Sequence, residues 1–190
     1  MATTIQSLLD RFDVLMNDAG AVRWPTAERL MWVNDGQREL VTFKDDAFVK
    51  HATVTTVTGA RQQVPADCHK VLTVRVGTTG QVVQRCERTA LDAFLPTWMT
   101  TLLASAPKNW MPDESPEYIW VYPAQQTPGA SLPVTYSAYP PVVAQGDSLS
   151  ARDGYASNIL NYMLYRAYSK DAETAGNAQL AAAAYELFRA

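Results

Sequence analysis

Apolar residues recur at intervals of three and four near the start of the chain, lose that period in the middle and regain it at the end. Ile5, Leu8, Leu9, Phe12, Leu15 and Met16 share one side of a predicted helix over 4–17. Thr4 is placed to cap it, and Asn17-Asp18-Ala19-Gly20 to stop it. A second helix is predicted over 25–43, with Pro25 in its first turn and Leu30, Met31, Asn34, Gln37, Leu40 and Val41 on one face. Gly36 costs that helix about 1 kcal/mol relative to alanine, which predicts a close packing contact there. Near the C-terminus Tyr155, Ile159, Tyr162, Met163 and Tyr165 stripe a third helix, with Asp153 as its expected cap. Ala178, Leu180, Ala181, Ala184, Tyr185 and Phe188 stripe a fourth, whose alanines permit a close seam. Two helices at each end predict one bundle built from both termini.

Between about 45 and 148 threonine, valine, proline and aromatics replace the helical pattern, which is strand and turn chemistry. Residues 51–64 read as two strands around Gly59-Ala60. Residues 70–86 read as a hairpin around Gly77 to Gly80, with Leu72, Val74 and Val76 on one face and Thr73 and Arg75 on the other. Residues 118–123 and 131–141 read as a third pair, in which Val134, Tyr136 and Ala138 share a face. Between these pairs Pro96, Pro107, Pro112 and Pro116 interrupt 88–116. That stretch reads as an irregular arm after a short helix at 90–95, able to order on contact and to bury exposed Trp98 and Trp110.

The predicted class is therefore α+β: a helical bundle of 1–44 and 150–190 with an inserted, mainly antiparallel β domain at 45–149. The 190 residues are 47% hydrophobic, enough for a real core, and the net charge of -3 advertises no groove for nucleic acid. No run is long enough to span a membrane, and the first residues lack a basic leader, so neither a membrane nor a secretory route is expected. Cys68 and Cys86 are expected as free thiols.

Candidate chemistry is sparse. Cys68 and His69 are adjacent, so on a strand they point oppositely and make a poor nucleophile pair. Asp67, Cys68, His69 and Cys86 lack the spacing of a zinc site. No phosphate-binding, dinucleotide or hydrolase motif is found. Asp45-Asp46 and Asp113-Glu114 read as solvated loop charges. Trp120, Tyr122, Tyr136 and Tyr139 lack interleaved basic residues and read as core or subunit contacts. No catalytic residue, cofactor or metal is expected, and the chain reads as a non-enzyme. Trp24, Trp32, Arg38, Trp98, Trp110, Tyr165, Arg166, Tyr185 and Phe188 are the candidate interface residues, since aromatics and arginine dominate such contacts.

Several motifs in series carry a resemblance. The run Trp24, Glu28, Leu30, Trp32, Asn34, Asp35, Gly36, Gln37, Arg38, Glu39 is similar to a pattern near the start of head-to-tail adaptor proteins of short-tailed phages, the tail tubular A type. The stretches 64–75, 118–141 and 160–188 resemble that group's later strands and C-terminal helix pair, in the same order. The likeness is weakest at 42–63 and 88–116. The resemblance implies a structural virion protein, assembled in the host cytoplasm. Such adaptors form a ring, typically of twelve copies, between portal and tail nozzle, help anchor tail fibres and leave a channel for genome DNA. A carbohydrate-binding tail component and a head-completion or stopper protein of another tail type are the alternatives.

Overall fold

The computed structural model describes residues 3–171 and 175–190, without the side chain of Ala175. The stretch 160–188 of the resemblance crosses 172–174, which lie outside the described residues. The chain divides into two compact units: Met1–Phe48 with Pro140–Ala190, and Val49–Tyr139. Residues 45–48 and 140–149 thus go with the helices, because Ala47, Val143 and Leu149 are buried in the helical core.

The helical unit begins with α1, Ile5–Met16, whose buried side is Ile5, Leu8, Leu9 and Phe12. Thr4 caps it, accepting the Ser7 N–H at 3.2 Å, and Asn17 ends it in the left-handed region at φ 53°. Leu15 does not join the stripe; it is 56% exposed. Helix α2, Thr26–Phe43, has Pro25 just outside it as the capping position. It buries Arg29, Trp32, Val33, Gly36, Gln37, Leu40 and Val41, so the core face is rotated from the expected one, and Met31 points outward. Arg29 enters the core because Asp13 pairs with it. Gln37 enters because its Oε1 accepts the Ser150 and Ala151 N–H groups at 2.9 and 3.1 Å. Gly36 lies against Tyr162: a Cβ there would sit 2.9 Å from the ring.

Helix α5, Ala156–Lys170, follows a single 3-10 turn at Asp153–Tyr155. Asp153 does not cap it; its carboxylate accepts the Thr3 N–H at 2.7 Å and so ties the two ends of the chain. Helix α6, Ala175–Arg189, buries Ala181, Ala184 and Phe188, while Leu180 is half exposed. Ile5, Phe12, Trp24, Leu40, Met163 and Phe188 share one core, so both termini build it.

The β unit holds β1 (Val49–Thr55), β2 (Gly59–Gln63), β3 (Cys68–Arg75), β4 (Val82–Arg85), β5 (Leu103–Ala104), β6 (Asn109–Pro112), β7 (Tyr118–Gln125) and β8 (Ser131–Ala138). The sheet order is β1-β8-β3-β4-β6-β7-β2, with β5 added on β7. The pairs β4–β6 and β5–β7 are parallel and the rest antiparallel. Strands β1 and β2 stand at opposite ends of this order, yet only residues 56–58 join them. Strands β7 and β8, also far apart in the order, are joined by 126–130. Two short links across one gap require a sheet curled toward closure. The links are bonded to each other: Thr56 N–H to the Ala130 carbonyl at 2.8 Å and Gly129 N–H to the Thr56 carbonyl at 2.9 Å. Buried Gln62 adds three bonds there, accepting from the Val57 N–H and donating to the Val57 and Gly59 carbonyls.

Only the β3–β4 pair is the hairpin read from the sequence. β1 and β2 pair with β8 and β7 respectively, and β7 and β8 do not pair with each other. In β3, register shifts at 68–70 and 71–73 break the alternation, so Cys68, Val71, Val74 and Val76 are buried while Leu72 is only half buried. Val134, Tyr136 and Ala138 do share the buried face. Residues 88–116 are not an irregular arm. They form α3 (Arg88–Phe94), α4 (Trp98–Thr101), β5 and β6, with Pro96, Pro107 and Pro116 between elements and Pro112 at a strand end. Trp98 and Trp110 are already buried, and the Trp98 indole N–H donates to Asp92 at 2.7 Å.

Candidate interaction site

Five of the candidate residues belong to the chain's own interior. Trp24, Trp32 and Phe188 sit in the helical core, and Trp98 and Trp110 are buried in the β unit. They set the shape of a surface from beneath. Arg38 is exposed, and Tyr165, Arg166 and Tyr185 are half buried. The last three form a rim over the aromatic core. Tyr165 and Tyr185 meet at a tilt with ring centres 4.8 Å apart, Tyr162 and Phe188 likewise at 4.9 Å, and Phe43 meets Phe188 edge-on at 5.5 Å. The Tyr185 hydroxyl donates to Glu39 at 2.7 Å, and Arg166 donates to the Tyr162 hydroxyl at 3.2 Å. Burial pushes the Tyr162 hydroxyl up to about 12. Beside this rim Glu28, Trp32, Arg166, Ser169 and Lys170 line a shallow hollow, in which Lys170 pairs with Glu28 at 2.7 Å.

Outward-facing apolar side chains lie elsewhere. Val14 and Leu15 of α1, with Leu160, line an apolar groove between Asp10 and Arg11. Leu180 and Leu187 face out from α6. In the β unit Phe94, Leu95, Leu102 and Leu103 are all exposed within ten positions, Phe94 most of all at 84%. Helix α3 buries none of its residues. These positions are not among the sequence candidates; the signal for them was an apolar run inside a segment whose prolines suggested disorder.

A recess of about 240 Å³ lies among β3, β4, β6 and the 113–118 stretch. The start of β3 gives it His69 and Lys70, the end of β4 gives Arg85, β6 gives Trp110, and the 113–118 stretch gives Asp113, Glu114 and Tyr118. Asp113 is held by Arg61 at 2.8 Å, and Glu114 by Arg88 at 3.0 Å. The guanidinium of Arg61 lies 3.9 Å from the Tyr118 ring centre, Arg88 lies 5.0 Å from that of Trp120, and Arg85 lies 5.9 Å from that of Trp110. The aromatics thus do have basic neighbours, brought from β2, β4 and α3 by the sheet order. Burial raises the Asp113 carboxyl, but the Arg61 bonds, the Ser115 N–H and the charges of Arg61 and Arg88 together outweigh it and hold the group below its ordinary value.

The acidic pairs are partnered. Asp46 accepts from Tyr155 at 2.6 Å and Arg152 at 2.9 Å, so it is not simply solvated, and Asp113 and Glu114 have the arginines just named. Cys68 points into the core, where burial and Asp67 push its thiol up to about 11, while His69 turns to the Tyr139 hydroxyl at 3.0 Å. Both cysteines are free thiols. Among the described residues no cluster of His, Cys, Asp and Glu could hold a metal ion, and no helix is long and apolar enough to cross a membrane.

Comparison with curated proteins finds no match. A family model described as SU10 adaptor protein matches residues 3–190.

Proposed function

Because the chain belongs to the SU10 adaptor protein family, and so is a structural phage adaptor, we propose that it acts in the manner of the tail tubular A type. Copies assemble as a ring, twelve in number by that likeness, between the portal and the tail nozzle. The genome passes through the ring without specific binding, and tail fibres anchor on its outside. No reaction is performed. Arg38, Tyr165, Arg166 and Tyr185 are the surface members of the candidate set and contact a neighbour or partner.

The observation that carries this reading is the family match across nearly the whole chain. Physical support comes from the two units. A helical core drawn from both termini gives a stiff body, and each unit leaves apolar side chains facing outward. A ring needs two different faces that meet head to tail. An acidic net charge suits a channel that repels phosphate. The test is electron microscopy and mass measurement of the purified protein, alone and mixed with its portal ring. Closed rings seated on the portal are expected; a monomer indifferent to the portal rejects the reading. Tight, sequence-independent DNA binding by the assembled ring rejects the repelling channel.

A further inference from the structure

Resting on the ring reading, we propose that the recess among β3, β4 and β6 is the receiving half of the contact between copies. It takes an acidic side chain from the helical unit of the next copy, clasped by Arg85 over Trp110.

Three observations lead there. The recess sets the exposed Arg85 beside carboxylates that already have cations of their own. Its own carboxylates are engaged, Asp113 by Arg61 and Glu114 by Arg88. Arg85 is exposed, lies over the Trp110 ring and has no carboxylate partner among the described residues. An arginine in a concave site over an indole, with its fork open, is set for a bidentate carboxylate. His69 adds a hydrogen-bonding ring, whose Nδ1 meets the Tyr139 hydroxyl at 3.0 Å.

The surroundings call for a protein surface and not a small anion. A second hollow, lined by Glu87, Arg88 and Asp92, shares Pro112, Asp113 and Glu114 with the recess. Helix α3 starts at that shared rim and carries Phe94 six residues on, about 9 Å along the helix. Beyond it Leu95, Leu102 and Leu103 are uncovered. A charged clasp beside an apolar patch is the composition of a protein–protein contact.

Charge selects a second copy as the occupant. The stretches of the helical unit hold nine lysines and arginines against thirteen acids, and those of the β unit seven against six. In a head-to-tail contact the β unit of one copy can meet the helical unit of the next, and this asymmetry then becomes attraction across every seam. Asp35, whose only ion pair among the described residues is the 3.9 Å contact with Arg166, and Asp147, which accepts the Ala144 N–H at 2.7 Å, are exposed acids of the helical unit and the first candidates to reach the recess.

The test uses the full chain with its portal ring. Arg85→Glu and the milder Arg85→Gln change an exposed side chain, so the melting temperature of the free protein should not move. Ring yield by mass photometry and negative-stain microscopy should fall at least tenfold for Arg85→Glu and less for Arg85→Gln. Asp35→Lys or Asp147→Lys, combined with Arg85→Glu, should restore part of it. If wild type and Arg85→Glu close rings equally well, the recess is rejected and the ring stands. If Arg85→Glu closes rings that fail to seat on the portal, the acid comes from the portal and the second-copy assignment is rejected. If wild type forms no ring at all, both readings fall.

Discussion

The helical unit and the β unit reach closure by different routes. The helical core joins segments more than a hundred residues apart, and side-chain hydrogen bonds sit at those joins. Gln37 accepts from Ser150 and Ala151, Asn34 exchanges two bonds with Val143, and Asp153 accepts from Thr3. The β unit is one continuous stretch, and its buried polar residues Thr56 and Gln62 stitch a gap between neighbouring links. Long-range closure makes the first unit depend on both termini being present; local closure lets the second hold its own shape. Gln37 in one core, and Thr56 and Gln62 in the other, therefore mark places where the chain had to be brought back to itself.

The largest test of that contrast is a pair of core truncations. Phe188→Ala removes a ring packed on Phe43, Tyr162 and Tyr185, and Trp98→Ala one packed on Trp120 and Tyr122. Each should cost about 3–5 kcal/mol in its own unit. Denaturant melts followed by near-ultraviolet circular dichroism should show two transitions, each variant shifting only one. A single transition shifted by both would break the comparison.

Asp13→Ala comes next. It leaves the buried Arg29 guanidinium without its carboxylate, so a loss of about 3 kcal/mol is expected in the helical transition alone. Gly77→Ala and Gly36→Ala are the matched steric pair. The new methyl meets the Ser131 carbonyl oxygen at 2.7 Å in the β unit and the Tyr162 ring at 2.9 Å in the helical unit. Each clash should cost about 1–3 kcal/mol. In α2 the better helix propensity of alanine returns about 1 kcal/mol, so Gly77→Ala should prove the worse of the two in thermal melts.

The smallest effect is acid lability. The Lys50 ammonium holds the Asp67 carboxyl below its ordinary value against some burial, with the Tyr136 hydroxyl assisting. A carboxyl lower in the folded than the unfolded chain stabilises above the unfolded value of 3.8. That stability is lost as pH falls through the folded value. Asp67→Asn should therefore flatten the acid limb of the β transition below about pH 4 and leave the helical limb unchanged; an unchanged β limb refutes the role given to Asp67.

The architecture was legible wherever apolar residues alone decide it. The faces of α1 and α5 followed from Ile5, Leu8, Leu9 and Phe12 and from Ile159, Tyr162 and Met163. The face of α2 was misread because Arg29, Gly36 and Gln37 are buried for reasons of partnership and space that hydropathy does not score. Strands were legible and their partners were not. Sequence neighbours such as β7 and β8 suggest a hairpin, but their link crosses the gap of a curled sheet. Trp98 and Trp110 looked exposed because prolines bracket them, yet those prolines only separate short elements. The recess escaped notice entirely, since Arg61, Arg85, Arg88 and the aromatics beneath them come from separate strands and a helix.

The β unit begins at Val49 and finishes just past Ser137, and these two residues face each other in one ladder. To the helices, the whole stretch is a detour whose feet stand about 5 Å apart. Such a detour can be exchanged for a longer, shorter or differently charged one with little change in the entropy of tethering. A replacement β unit can thus be grafted at one site a single ladder step wide, leaving the helical sequence untouched.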